Sequence, residues 1–298
     1  MTSAVVVVAV ALAGLLALML NRHVTASAGS GSRDSGGETA IGDQAAAWVA
    51  SQVSRAATIA CDPVMCRALE ARGIPAASLL ELRPGTANPL PAEIIIATPA
   101  VRGMLGASYL GRYAPASVAG FGSGNAAVSI RVIAPRGAAS YLSALRADVA
   151  TRKSWGRALL RSKNVAVSAA ARTPLAEGRV DPRLLADIAG MTAQRPVSIV
   201  AFGGSTPGAS PGIALRSAEL AGVGRAAERS RAAERSRGVE RSRAAQVRWI
   251  SNFLHGQRGE YLPASVRTVS LPAGGTGLRV EFAAPSPLGF LRSLTTRR

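Results

Sequence analysis

The sequence predicts an α/β (or α+β) protein, with an N-terminal membrane helix followed by two small α/β lobes or one two-lobed domain. Three observations point that way. Residues 4–20 (AVVVVAVALAGLLALML) form an uncharged, proline-free apolar run. Two β-type runs, Thr58-Ile59-Ala60-Cys61 and Glu93-Ile94-Ile95-Ile96-Ala97, each lead into a capping residue and a proline, Asp62-Pro63 and Thr98-Pro99. A side chain that accepts from orphan amides, followed by a residue with no N–H to lose, is how helices start. A further helical stretch opened by Asp181-Pro182 is followed by 197–202 (VSIVAF), which reads as a buried strand. Strands alternating with helices argue for layered α/β architecture and against a sandwich or a bundle.

Taken in order, residues 1–24 are expected as a transmembrane anchor or a signal peptide. A helix over the apolar run would be about 25 Å long, against a hydrocarbon core of about 30 Å, so both readings stay open. Ala26-Ser27-Ala28 supplies the small-x-small pattern of a cleavage site. Arg22, directly after the run, leans by the positive-inside rule towards a cytoplasmic body. The cysteine pair below leans towards export, and export is the expectation. Residues 25–42, rich in Gly, Ser and Thr, are expected as a flexible linker, since they bury too little to offset the entropy of ordering.

Residues 43–161 are expected as an N-terminal α/β lobe. After the two strand–helix starts, Phe121-Gly122-Ser123-Gly124-Asn125 separates two β-type runs, 117–120 and 126–134. A phosphate-cradling loop would need a helix immediately downstream, so a hairpin turn is the better account. Residues 138–161 read as a helix with a rough stripe of Leu142, Leu145, Val149, Leu159 and Leu160. Lys153, Arg157 and Arg161, four apart, share a solvated face.

Residues 162–298 are expected as a C-terminal α/β lobe carrying an arginine-rich insertion at 225–248. The insertion is a degenerate hexapeptide repeat, RAAERS, RAAERS, RGVERS, RAAQVR. Six residues turn a helix through about 600°, so equivalent positions rotate onto three faces and no single apolar stripe results. It reads as a solvated helix extension or a disordered insertion. A short helical stretch at 247–254 and strands at 265–271 and 278–282 follow.

Composition bounds the chemistry. The chain is 48% hydrophobic but only 4% aromatic, so its core is built from Ala, Val, Leu and Ile. The net charge is +18, and only two of the 35 basic residues, Lys153 and Lys163, are lysines. A basic exported surface suits anionic lipid heads or wall polymers. Nucleic acid is not an expected partner, because the basic repeat lacks interleaved aromatics on which bases could stack.

Cys61-Asp62-Pro63-Val64-Met65-Cys66 is the one cysteine motif. Two cysteines cannot build a zinc site by themselves, and the spacing is not the redox C-x-x-C. In an oxidising compartment the expected product is a local Cys61–Cys66 disulfide with Cα atoms about 4.4–6.8 Å apart. His23 lies in the leader, so His255 is the one imidazole left for a nucleophilic triad. No H-E-x-x-H or P-loop occurs, and Asp62 and Asp181 are accounted for as helix caps. No catalytic residue, metal ligand or cofactor site is assigned.

Residues 164–169 (NVAVSA), Leu175, Asp181, Leu184-Leu185, Ile188-Ala189 and 197–203 (VSIVAFG) fall in an order that resembles the strand–helix–strand opening of outer-membrane-protein-A-like peptidoglycan-binding domains, over residues 164–271. The resemblance implies a next helix at 213–220 (IALRSAEL), interrupted by the arginine repeat and resumed at 247–254. It implies Arg216 as a ligand-binding candidate. The family's ligand-binding aspartate has no counterpart, since Gly204-Ser205-Thr206 stand in its place. The whole chain resembles membrane-anchored exported proteins of GC-rich bacteria. The expected function is therefore binding or scaffolding at the cell envelope without catalysis, with the membrane and an anionic polymer such as peptidoglycan as partners. The competing classes are an exported hydrolase of an envelope polymer and a basic, cytoplasmic-facing adaptor.

Overall fold

A computed structural model describes residues 34–85, 87–203, 213–223, 232–272 and 274–291. The apolar run at 4–20, Ala26-Ser27-Ala28, Gly204-Ser205-Thr206 and the first hexad of the repeat lie outside the described residues. Among the described residues, no helix is long and apolar enough to cross a membrane. From Ile41 onward the chain forms one compact unit containing two five-stranded mixed sheets.

The first helix, α1 (Asp34–Gln52), begins inside the 25–42 stretch whose composition favours flexible chain. Ala45, Ala46, Trp48 and Val49 recur on one helical face and are buried in the first core. Next come β1 (Ile59–Cys61), α2 (Pro63–Glu70), β2 (Leu79–Glu81), β3 (Ile94–Ala97), α3 (Pro99–Tyr113), β4 (Ala116–Phe121) and β5 (Val128–Val132). The sheet order is β2-β1-β3-β5-β4, with β1 parallel to β2 and β3, and β5 antiparallel to β3 and β4. Ile95 and Ile96 point to opposite faces of β3 and both are fully buried, one in each of two apolar clusters. A sheet covered on both faces is what a continuous apolar run such as Ile94-Ile95-Ile96 encodes.

The two proline starts are capped as expected. Asp62 Oδ1 accepts from the Val64 and Met65 amides at 3.0 and 3.1 Å, and Thr98 Oγ1 accepts from the Val101 amide at 3.2 Å. The two caps also meet each other, the Thr98 hydroxyl donating to Asp62 Oδ2 at 2.6 Å. The glycine-rich segment after β4 is a hairpin turn, with Gly122 and Gly124 at φ 67° and 60°, where a side chain would be strained. Cys61 and Cys66 form a disulfide across the start of α2, with Cα atoms 5.5 Å apart. Replacing both by serine is expected to lower stability by about 2 kcal/mol, the loop-closure value for so short a loop. Urea denaturation of oxidised wild type against the double variant measures it, and equal midpoints would show that the bond contributes nothing.

The second sheet is built from β6 (Val165–Val167), β7 (Val197–Gly203), β8 (Ser217–Gly222), β9 (Ser265–Ser270) and β10 (Thr276–Glu281), in the order β6-β7-β8-β10-β9. β6 and β7 are parallel and the remaining pairs antiparallel. The helices α4 (Ala138–Arg161), α5 (Ala169–Glu177), α6 (Pro182–Gln194) and α7 (Ala232–His255) complete the lobe. Leu175, Leu184, Leu185, Ile188, Met191, Val197, Ile199, Leu220, Ile250, Leu254, Val280 and Phe282 form its core.

Three expectations are corrected. Residues 213–220 do not form a helix: Ser217–Gly222 is strand β8, hydrogen-bonded to β7 on one side and β10 on the other. Ala, Leu and Glu favour helix only weakly, and pairing on both edges outweighs that preference. Of the expected apolar stripe on α4, Leu159 is buried and Leu160 packs against the core, but Leu142, Leu145 and Val149 are only half-buried, and the rest of the buried face is Asp148, Arg152 and Gly156. A Cβ on Gly156 would stand 2.1 Å from the Leu175 carbonyl oxygen, so α4 and α5 cross at backbone contact. Finally, 247–254 does not resume a helix begun before the repeat. It is the last part of one helix, α7, that extends back to Ala232.

Within α7, Val247, Ile250 and Leu254 are buried, whereas residues 242–245 are exposed. A Cβ on Gly222 would lie 3.1 Å from the Arg243 carbonyl oxygen, so the chain at the end of β8 already adjoins Ala244. Deleting residues 225–243 is therefore expected to preserve cooperative unfolding and to move Tm by less than about 3 °C. A non-cooperative melt would show that the repeat packs into the core.

Candidate functional site

The site is assembled around the end of β10. Asp181 is fully buried and caps α6, its Oδ1 accepting from the Arg183 amide at 2.9 Å. The Arg183 side chain returns to the same carboxylate in a two-pronged pair, Nε to Oδ1 at 3.0 Å and Nη2 to Oδ2 at 2.9 Å. Such a fork matches the planar carboxylate and holds both partners in one geometry. Arg183 Nη2 also donates to the Ala283 carbonyl at 2.7 Å, and its guanidinium lies 5.1 Å from the centre of the Phe282 ring. The first residues after β10 are thereby tied to the start of α6.

Arg216, directly before β8, is bound to the same segment from the other side. Its carbonyl accepts from the Phe282 amide at 2.9 Å, and its Nη1 donates to the Phe282 carbonyl at 2.7 Å. Its Nη2 donates to Gln52 Oε1 at the end of α1. Burial pulls the Arg216 guanidinium down from its usual range, while Glu281 and Asp181 push it back up and Arg183 lowers it further. Beside it opens a cleft of 420 Å³, whose walls include Arg55, Ser265, Arg267, Glu281 and Phe282. Arg267 and Glu281 form a long ion pair of 3.7 Å across its rim. Ser265 Oγ is buried with no hydrogen-bond partner among the described residues.

The structure thus brings Arg216 to a cleft, but as a strand-entry residue held by two partners rather than as a helix residue. Arg55, Ser265, Arg267 and Glu281 carry no local signal in the sequence. Ser265 and Arg267 come from β9, Glu281 from β10 and Arg55 from the chain after α1; the sheet register sets Glu281 opposite Ser217 on β8 and Ser265 on β9, and packing of the segment after α1 adds Arg55. His255 lies elsewhere, exposed at the end of α7, with Nδ1 2.8 Å from the Ser251 carbonyl oxygen one turn back. Arg157 and Arg161 are exposed on α4, and Lys153 is half-buried against Gly178. Among the described residues no group of three His, Cys, Asp or Glu is placed to hold a metal ion.

A second buried carboxylate sits on α6. Asp187 is 3% exposed and its Oδ2 has no hydrogen-bond partner among the described residues. Burial pushes its pKa up to about 7. Arg183, one turn earlier, is committed to Asp181 and does not neutralise it.

No family model matches this chain, and no curated protein or solved structure does.

Proposed function

We propose that this protein is a membrane-anchored, extracytoplasmic protein of the cell envelope that binds or scaffolds there and performs no catalysis. The observation that carries this reading is the Cys61–Cys66 disulfide, because such bonds persist in oxidising compartments and are rare in a reducing cytoplasm. Residues 4–20 supply the membrane engagement, as an anchor or, if cleaved, as a signal peptide. A net charge of +18 favours an anionic envelope polymer such as peptidoglycan as the partner. The resemblance of residues 164–271 to wall-binding domains points to the same place.

Alkaline phosphatase fused after Arg298 tests the reading, since that enzyme is active only after export. The expected result is an active fusion that sediments with membranes and stays there in high salt, where screened surface attraction would be lost. An inactive phosphatase fusion together with an active cytoplasmic reporter at the same position would overturn it and establish the cytoplasmic-facing adaptor. Turnover of purified wall polymer by the isolated protein would overturn the non-catalytic part and establish the hydrolase.

A further inference from the structure

We infer that the cleft beside Arg216 binds the phosphate or carboxylate group of a small anionic ligand. The inference is independent of where the protein resides. Three arginines line the cleft from three segments: Arg55 after α1, Arg216 before β8 and Arg267 on β9. Glu281 is the one carboxylate among its lining residues, and its pairing with Arg267 at 3.7 Å lies beyond hydrogen-bond distance, with the Arg267 side chain 69% and the Glu281 side chain 40% exposed. The end of α1 also brings carbonyl groups to this wall, but these carry only a fraction of a charge. Three positive charges against one negative leave a net attraction for an anion.

Two features separate this cleft from an ordinary basic surface. Arg216 is 6% exposed and already held by the Phe282 carbonyl and Gln52. A guanidinium has five N–H donors, so it can serve a ligand while fixed in place, with little further loss of side-chain freedom. Ser265 Oγ, buried without a partner, is a group that a folded protein normally satisfies. The volume, 420 Å³, falls in the range of about 300–1,000 Å³ typical of small-molecule sites. By contrast, Lys153, Arg157 and Arg161 stand side by side on a single helix face and converge on nothing.

Titration of the purified full-length protein with sodium phosphate, and separately with sodium succinate, tests the site, with sodium chloride at matched ionic strength as the reference. Saturable binding of at least one of the two is expected. Phosphate alone binding identifies a phosphate-bearing ligand, and succinate alone a carboxylate-bearing one. Arg55→Ala and Arg267→Ala, both at exposed side chains, are each expected to raise Kd about tenfold, the loss of a charge-assisted hydrogen bond. The pair Arg157→Ala and Arg161→Ala on α4 is expected to leave it within about twofold. No saturable binding of either anion, or an equal loss in the α4 variant, would overturn the site. Neither result bears on the phosphatase fusion, so failure of the site and failure of the envelope reading are distinguishable.

Discussion

Asp148→Ala is expected to cost about 3–5 kcal/mol of stability at neutral pH, the loss seen when one partner of a buried ion pair is removed. Asp148 and Arg152 are one helical turn apart on α4, each with a side chain only 4% exposed, and Arg152 Nε donates to Asp148 Oδ2 at 2.8 Å. The second carboxylate oxygen accepts from the Gly289 amide at 2.9 Å, and Arg152 also donates to the Gly178 carbonyl. The pair therefore ties the chain beyond β10, and the end of α5, to α4. Truncating Asp148 would leave a guanidinium charge without its counter-ion and an amide without its acceptor. The double variant Asp148→Leu with Arg152→Met, which removes both charges together, is expected to recover most of the loss. Urea denaturation of the three proteins measures this. A cost below about 1 kcal/mol for Asp148→Ala would show that the pair is solvated in solution.

Asp187→Asn is expected to stabilise the protein above pH 7 and to have little effect near pH 4. The folded-state pKa of about 7 lies above the ordinary carboxylate value of 3.8. Between those values the folded state holds a proton that the unfolded state releases. Stability is therefore complete below about pH 4, declines as pH rises through 7, and stays reduced above it. A shift of about three units corresponds to about 4 kcal/mol, an upper bound on the gain. The asparagine amide still has to be buried, which lowers the expected gain at pH 8 to about 1–3 kcal/mol. Thermal unfolding between pH 4 and 8 should show a falling Tm for wild type and a flatter profile for the variant. Parallel profiles would mean that Asp187 finds a partner in solution.

Much of the secondary structure was legible because it is written in local chemistry. Asp62-Pro63, Thr98-Pro99 and Asp181-Pro182 mark helix starts through caps that act within three residues, and each is observed. The cysteine pair was legible for the same reason, since a turn between residues five apart is a local matter. β8 was not legible. Its residues favour helix individually, and only strands from distant parts of the chain make it a strand. The face of α4 was legible only in part: Leu159 is buried as its apolar stripe predicts, but periodicity counts apolar residues, and here an ion pair and a glycine complete the buried face. Arg216 could be singled out by resemblance, but its partners Gln52 and Phe282 lie far from it in the chain.

The sequence on its own establishes the α/β class, the helix starts, the hairpin at Gly122 and Gly124, and a chain with strong positive charge. All of these follow from interactions between near neighbours or from composition. Tertiary structure alone decided the order of strands in the two sheets, the burial of Asp148, Arg152 and Asp187, and the meeting of Arg55, Arg216, Ser265 and Arg267 at one cleft. The physical reason is that burial and convergence depend on which distant segments pack together. A charged residue reads the same in sequence whether it faces water or a partner, and only the packed chain separates the two.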